Sequence, residues 1–309
     1  MNNNWLSLMQ SLKNKHSHLA TLIGSRKVAF IDIPMYFNVG DILIYFGTEN
    51  FFKEYNINVI YRAGQNINNR KIKDVDVIVL QGGGNFGDLY PHHQKLREYI
   101  LKTFMDKTII CLPQTLHFSG AEQQAKSAKI FKAHSDFHLF VRDDASLDIG
   151  KEFTEKVSLM PDMAHSLHPL IDIQETDLNS SISRILNMKR VDDEKNNKAI
   201  ERDINKIGFD WNNIISPSMY IIGRSVIKLN KLGFKKSITY WNKISEDMFF
   251  KSVNYFMAHD TVYSDRLHGI ILATLLGKKI KLYDNSYGKN TGYLKCWLRS
   301  YPGLLNDIS

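Results

Sequence analysis

At 309 residues, with 43% of them hydrophobic and 23% charged, the chain is long enough for two domains, and neither disorder nor low complexity suits that composition. A formal net charge of +8 admits nucleic acid, an anionic membrane face or small anionic substrates, but no basic helix with interleaved aromatics appears, so nucleic acid is set aside. Two cysteines, Cys111 and Cys296, argue against a disulfide framework; with no signal-like start over Met1–Gln10 and no apolar run near the roughly 18 to 20 residues of a membrane span, a cytoplasmic protein is expected.

From residue 26 the pattern alternates short β-rich runs with longer helical ones, which predicts a parallel sheet flanked by helices. Val28–Ile33 is the first expected strand. Asn38-Val39-Gly40-Asp41 opens a helix to about Glu54, Ile57–Tyr61 and Val75–Leu80 are strands, and a glycine loop follows. His92–Met105 reads as a helix, Thr108–Leu112 as a strand, Ala121–Ala133 as a helix, and Phe137–Val141 as a strand ending at Arg142, with Val157–Met160 closing the series. The rhythm breaks over Pro161–Pro169, which places a domain boundary near residue 168. A second unit begins with a strand over Ile182–Met188, then a polar stretch at 190–214 that suggests an exposed loop or mobile insertion. Helices near 216–231 and 245–258, a strand at 260–264, a helix through Ile270–Leu276, a strand over Lys279–Tyr283 and a helix near 291–299 complete the chain.

The seam Tyr263-Ser264-Asp265-Arg266-Leu267-His268-Gly269 places a fixed cation and a titratable ring at a helix's first turn, where free N–H groups and the helix dipole favour an anion. Asp76–Gln81 followed by Gly82-Gly83-Gly84-Asn85-Phe86-Gly87-Asp88 has the spacing Gly-x-Gly-x-x-Gly after a strand. The acidic residue that a dinucleotide site needs about 20 positions on is absent; Pro113-Gln114 stand there, so the glycines read as a tight turn or as a loop that lets a ligand approach the backbone. Asn38 and Asp41 suit a helix cap as well as a site. His117 and Arg142 each follow the C-terminal end of a strand, the edge where open α/β sheets bind ligands, although a lone histidine there is commonly a surface group and Arg142 has Asp143 and Asp144 beside it. No clustered Cys/His spacing, nucleophile elbow or Walker loop occurs, which leaves metal-independent group transfer from an anionic donor.

Taken in order, Asn38-x-Gly40-Asp41, Gly82–Asp88, Pro113-Gln114, Arg142-Asp143, Asp265–Gly269 and Asp284-Asn285-Ser286-Tyr287-Gly288-Lys289 resemble the polysaccharide pyruvyl transferase family across most of the chain. The resemblance implies two Rossmann-like domains, 1–168 and 169–309, facing a cleft in a glycosyltransferase-B-like arrangement. It also implies transfer of pyruvate from phosphoenolpyruvate to two hydroxyls of a glycan as a cyclic ketal, with no further cofactor. By motif, His268 is then the acid/base and Arg266 a donor ligand, with Arg142 and His117 as second candidates for donor binding and proton handling. Asn38, Gly40, Asp41, Gly83, Gly84, Asn85 and Gln114 would line the site. Arg190 would add a cation; Asn285, Ser286, Tyr287 and Lys289 would form either a loop beside the cleft or a plain turn. A lipid-linked acceptor would give the excess positive charge a use at the inner face of an anionic membrane. The rivals are a nucleotide-sugar glycosyltransferase and a catalytically silent glycan-binding protein.

Overall fold

The computed structural model describes residues 2–170, 184–189, 208–283 and 289–305, the side chains of Asn2 and Lys289 excepted. Arg190, Asn285, Ser286 and Tyr287 therefore lie outside the described residues, as does most of the expected insertion. Two parallel sheets organise the chain. The first holds β1 (Val28–Ile31), β2 (Val59–Ala63), β3 (Val77–Leu80), β4 (Gly83–Gly87), β5 (Thr108–His117), β6 (Phe137–Val141) and β7 (Val157–Leu159), in the order β2-β1-β3-β5-β6-β7 with β4 beside β5. The second holds β8 (Ile185–Met188), β9 (Thr261–Ser264) and β10 (Lys279–Leu282), with β9 central.

The inner strands β1, β3 and β5 of the first sheet are buried on both faces, which is why they read as continuous apolar runs. Ala29, Ile31, Ile78, Leu80, Ile109 and Cys111 point into one core with α5 (Pro91–Thr103) and α6 (Ala121–Lys132). Their neighbours Val28, Phe30, Val77, Val79 and Ile110 point into the other, against α2 (Ser17–Ile23) and α3 (Val39–Glu54). A third core surrounds the second sheet with α8 (Pro217–Lys231), α9 (Ser237–Met257) and α10 (Leu267–Leu275). Helix α3 belongs to two cores, sending Val39, Ile42 and Leu43 to the third and Ile44, Tyr45 and Phe51 to the second, and so it is apolar nearly all round. The N-terminal α1 (Asn2–Asn14) also packs toward the second sheet: Trp5, Met9 and Leu12 enter its core, and Trp5 Nε1 donates to the Thr274 carbonyl at 2.6 Å.

Three expectations need correction. The glycine segment is a strand, because Gly83, Phe86 and Gly87 pair in parallel with Gln114, Leu116 and His117. β5 correspondingly runs past Leu112 through Pro113 to His117, exchanging β3 for β4 as its neighbour where it does so. The residues at 208–214 are no exposed loop, since Phe209, Trp211 and Ile214 are buried. The helices α1, α2, α4 (Asn69–Lys73) and α7 (Asp144–Gly150) had no counterpart in the sequence reading.

Gly87 has φ +125°, and a Cβ added there would stand 1.7 Å from the His117 carbonyl oxygen. Neither backbone can yield without unpairing β4 from β5. Gly87→Ala is expected to lower the stability of the fold by about 3 to 5 kcal/mol, read from urea denaturation.

Two buried histidines couple the fold to pH. His16 donates from Nε2 to the Pro161 carbonyl at 3.0 Å and accepts at Nδ1 from Ser166 Oγ at 2.6 Å; His165 Nε2 lies 2.8 Å from the Tyr293 hydroxyl. Burial pulls His16 down to about 4 and His165 to about 3, from an ordinary value of 6.5. Between those values and about 6.5 the unfolded chain binds more protons than the folded one, so stability rises with pH in that window and falls on acidification through it. Thermal denaturation is expected to show a loss on the order of 3 kcal/mol from His16 alone between about pH 7 and pH 4, abolished in His16→Gln. A flat profile over that range would contradict the assignment.

Candidate active site

Two helix N-termini meet at the C-terminal edges of the two sheets. After β1 the chain turns through Asp32 and Tyr36 into α3, capped by Asn38: Gly40 N–H donates to Asn38 Oδ1 at 3.0 Å, and Asn38 Nδ2 donates to Asp41 Oδ2 at 2.8 Å. After β9 it turns into α10, capped by Arg266, whose N–H donates to Ser264 Oγ at 2.9 Å. Between them lies a 330 Å³ pocket, walled by Asn38 and Asp41 from α3, Gly84 and Asn85 from β4, Arg266 and His268 from α10, and also by Tyr36, Tyr90, His93 and Trp211. β1 is flanked by β2 on one side and β3 on the other, so this is the point where the strand order reverses and open sheets leave a crevice.

Gly40 makes the approach of the two helices possible. A Cβ at that position would stand 2.6 Å from His268 Nδ1, so the imidazole rests on bare backbone at the start of α3.

Each of two histidines in the wall is backed by a buried aspartate, and each aspartate by a buried arginine. His268 Nε2 is 3.4 Å from Asp162 Oδ2 and 3.4 Å from Arg142 NH1, while Arg142 NH1 donates to Asp162 at 2.5 Å. A protonated Nε2 donates to Asp162, and a bare one accepts from Arg142, so either tautomer of the ring is held in the same place. In the second set His93 Nδ1 lies 2.8 and 2.9 Å from the two Asp32 oxygens, and Arg97 NH2 donates to Asp32 at 3.3 Å and to Asn85 Oδ1 at 2.5 Å. Asp32 holds a left-handed φ of +68°, which aims its carboxylate back toward α5. Burial alone would raise the Asp162 carboxyl, but the His268 ring and the Arg142 guanidinium outweigh it and hold the group below the usual carboxylate range. Burial, then the Asp41 and Asp32 charges, push the Tyr36 hydroxyl well above its usual value, leaving it a hydrogen-bond donor to Asp41.

The family profile described as polysaccharide pyruvyl transferase matches residues 38–283, from the cap of α3 to just past β10. The chain belongs to that family. It is 37% identical to a Bacillus subtilis protein named "Putative pyruvyl transferase EpsO", over 95% of this chain and 92% of that one. "Pyruvyl transferase 1" of Schizosaccharomyces pombe is 26% identical over 89% of this chain and 70% of its own length. A crystal structure of an uncharacterised Klebsiella pneumoniae protein shares the fold, with a TM-score of 0.56 at 21% identity, covering 99% of this chain and 100% of that one.

In this pyruvyl transferase the motif residues are distributed unequally about the pocket. Asn38, Asp41, Gly84, Asn85, Arg266 and His268 form its walls, with Gly40 beneath His268. Gly83 sits behind, facing Asp41 and Ile44, and Gln114 is fully buried, donating to the Gln81 carbonyl at 2.7 Å. Arg142 is fully buried and reaches the pocket through His268; among the described residues, one guanidinium nitrogen, NH2, has no hydrogen-bond partner. Its neighbours are Asp162 and Thr115, rather than the adjacent carboxylates Asp143 and Asp144. His117 ends β5 opposite Gly87 and is not among the pocket's described walls. Arg266 carries a bidentate pair with Asp210, at 2.8 and 2.6 Å. Lys289 begins α11 (Lys289–Tyr293). The sequence reading missed Asp32, Tyr36, His93, Asp162, Asp210 and Trp211. Among the described residues, no helix is long and apolar enough to cross a membrane.

Proposed function

We propose that this transferase moves pyruvate from phosphoenolpyruvate onto two hydroxyls of a sugar in a surface or extracellular polysaccharide, forming a cyclic ketal and releasing phosphate. The observation that carries the reading is the pairing of two helix N-termini with two aspartate-backed histidines around one pocket. Phosphate and carboxylate both suit helix N-termini and arginine forks. The donor's methylene carbon gains a proton and becomes methyl, one sugar hydroxyl bonds to the central carbon, and a second hydroxyl displaces phosphate. Of the two hydroxyl protons, one balances that methyl and the other leaves on phosphate. The reaction thus needs an acid and a base at different points, and His268 from α10 and His93 from α5 both line the pocket. We assign His268 Nδ1, the nitrogen turned from Asp162 toward Gly40, to one role and His93 Nε2 to the other, in place of His117. Arg266, relayed by Asp210, and the α3 and α10 termini hold the donor. The two sheets are read as glycosyltransferase-B-like Rossmann domains meeting near residue 168, and the net charge of +8 suits a cytoplasmic enzyme meeting a lipid-linked acceptor at an anionic membrane face.

Incubating the protein with phosphoenolpyruvate and a candidate glycan is expected to release phosphate and add the mass of pyruvate less water to the glycan. Consumption of a nucleotide sugar instead would overturn the reading.

A further inference from the structure

The 330 Å³ pocket does not end at its own walls. Tyr36 and His93 also line a second volume of 590 Å³, and Gln65, Asn66 and Asn230 of that volume also line a third of 920 Å³. Shared residues set the three volumes in a row, with the 330 Å³ volume at the closed end, the 920 Å³ volume at the open end, and His93 bordering both the first and its 590 Å³ neighbour. One wall of the open end is built from β2, α4 and α5; the other is the turn joining α8 to α9. Asn66 Nδ2 donates to the Asn230 carbonyl at 3.1 Å, linking the two walls where the second and third volumes meet.

The chemistry of the open end is uniform. Its described walls contain no aspartate or glutamate but include Arg62, Arg70, Lys71, Lys95 and Lys235. Arg62 is engaged by Glu49; among the described residues, the other four make no ion pair. Exposed rings stand among them, Tyr99 at 43% and Phe234 at 46% relative exposure, with Lys71 Nζ 5.3 Å from the Tyr61 centroid. Asn66, Asn68, Asn69 and Asn230 also line it; each side chain already makes one hydrogen bond within the protein, to the Asn230 carbonyl, the Arg70 N–H, the Tyr99 hydroxyl and Ser237 Oγ in turn, and the rest of each amide is left for sugar hydroxyls. Unpaired cations, exposed aromatic faces and amides along a trough that leads to an acid/base histidine suit a chain of sugars bearing negative charges. Each part has a counterpart: carboxylate or phosphate for the cations, C–H faces for the rings, hydroxyls for the amides. A compact donor needs none of this length.

We infer that the acceptor is an extended anionic oligosaccharide, laid along this trough with the sugar to be pyruvylated at His93 and several further residues held between α4–α5 and the α8–α9 turn. The inference rests on the phosphoenolpyruvate reading for the direction of the chain, but its binding test does not. Calorimetric titration of the full chain with galacturonate monomer, tetramer and octamer is expected to show affinity rising with length and falling as salt goes from about 0.05 to about 0.5 M. The variant R70A/K95A/K235A should bind the octamer about tenfold or more weakly, with phosphoenolpyruvate binding and melting temperature unchanged. Y99A/F234A should weaken octagalacturonate but not octa-aspartate, which separates sugar recognition from bare charge. Equal binding of neutral maltooctaose, equal loss of octa-aspartate in Y99A/F234A, or wild-type affinity in the triple variant would each overturn the inference. Length-dependent galacturonate binding without phosphoenolpyruvate binding would keep the trough as an anionic-glycan site and remove the donor assignment instead.

Discussion

Replacing His268 with glutamine is expected to cut phosphoenolpyruvate-dependent turnover by about 10² to 10⁴, the range for loss of a positioned general acid or base, while leaving the urea midpoint near that of the parent. Glutamine fills most of the space above Gly40 and keeps an amide for Asp162, so packing and hydrogen bonding survive; what it cannot do is change protonation near neutrality. Phosphate release at saturating donor and acceptor, compared with donor binding by calorimetry, separates the roles: a residue that only binds donor would weaken its affinity and leave saturated turnover near that of the parent, whereas a proton carrier would change turnover alone. His93→Gln should produce a loss of the same order. Near-parent turnover in His268→Gln would remove that residue from the chemistry, and a collapse in its urea midpoint would recast the Asp162 contact as structural.

The parts of this site visible in the sequence are those that coincide with the ends of elements. Asn38 and Asp41 open a helix, Gly84 and Asn85 follow a strand, and Arg266 with His268 stand between a strand and a helix, so a reader placing elements also places them at the sheet edges. The first sheet was legible for a related reason: β1, β3 and β6 are buried on both faces and leave unbroken apolar runs. The glycine segment was misread because its strand character comes wholly from pairing with the far half of β5, about 30 residues on, whereas glycine's local preference is for turns. Long-range ion pairs were invisible for the same reason. Asp162 meets Arg142 from 20 residues away and His268 from 106; Asp210 meets Arg266 from 56. His93 sits inside α5, with a polar neighbour on either side, and its partners Asp32 and Gln65 come from turns 61 and 28 residues away. Convergence of motifs at one edge was therefore readable, but which charges face the pocket and which are held behind it was not.

Truncating Asp162 to alanine is expected to lower stability by about 3 to 5 kcal/mol, because it strands the Arg142 guanidinium in the interior. Arg142 is fully buried, and among the described residues its side chain has, beyond Asp162, only Thr115 Oγ1, at 2.8 Å from Nε, and the neighbouring His268 ring. The same carboxylate also accepts from the Ala164 N–H at 2.9 Å, holding the turn at Met163–Leu167 that packs against α3. Because Asp162 is held below the usual carboxylate range, its contribution is present above the unfolded value and is lost as pH falls toward the lowered folded one. Asp162→Asn should cost less than alanine, since the Ala164 bond survives. Arg142→Met should also be destabilising on its own, but the double variant Asp162→Asn/Arg142→Met should lose clearly less than the two single losses added, as removal of both charges leaves none uncompensated. Additive losses would mean that the two residues act independently. Arg142→Met separates two roles for the arginine. Stability unchanged with donor affinity reduced would make it a substrate ligand reached through its unpartnered NH2, whereas destabilisation with donor affinity retained would make it the buried post that positions Asp162, and through it the His268 ring.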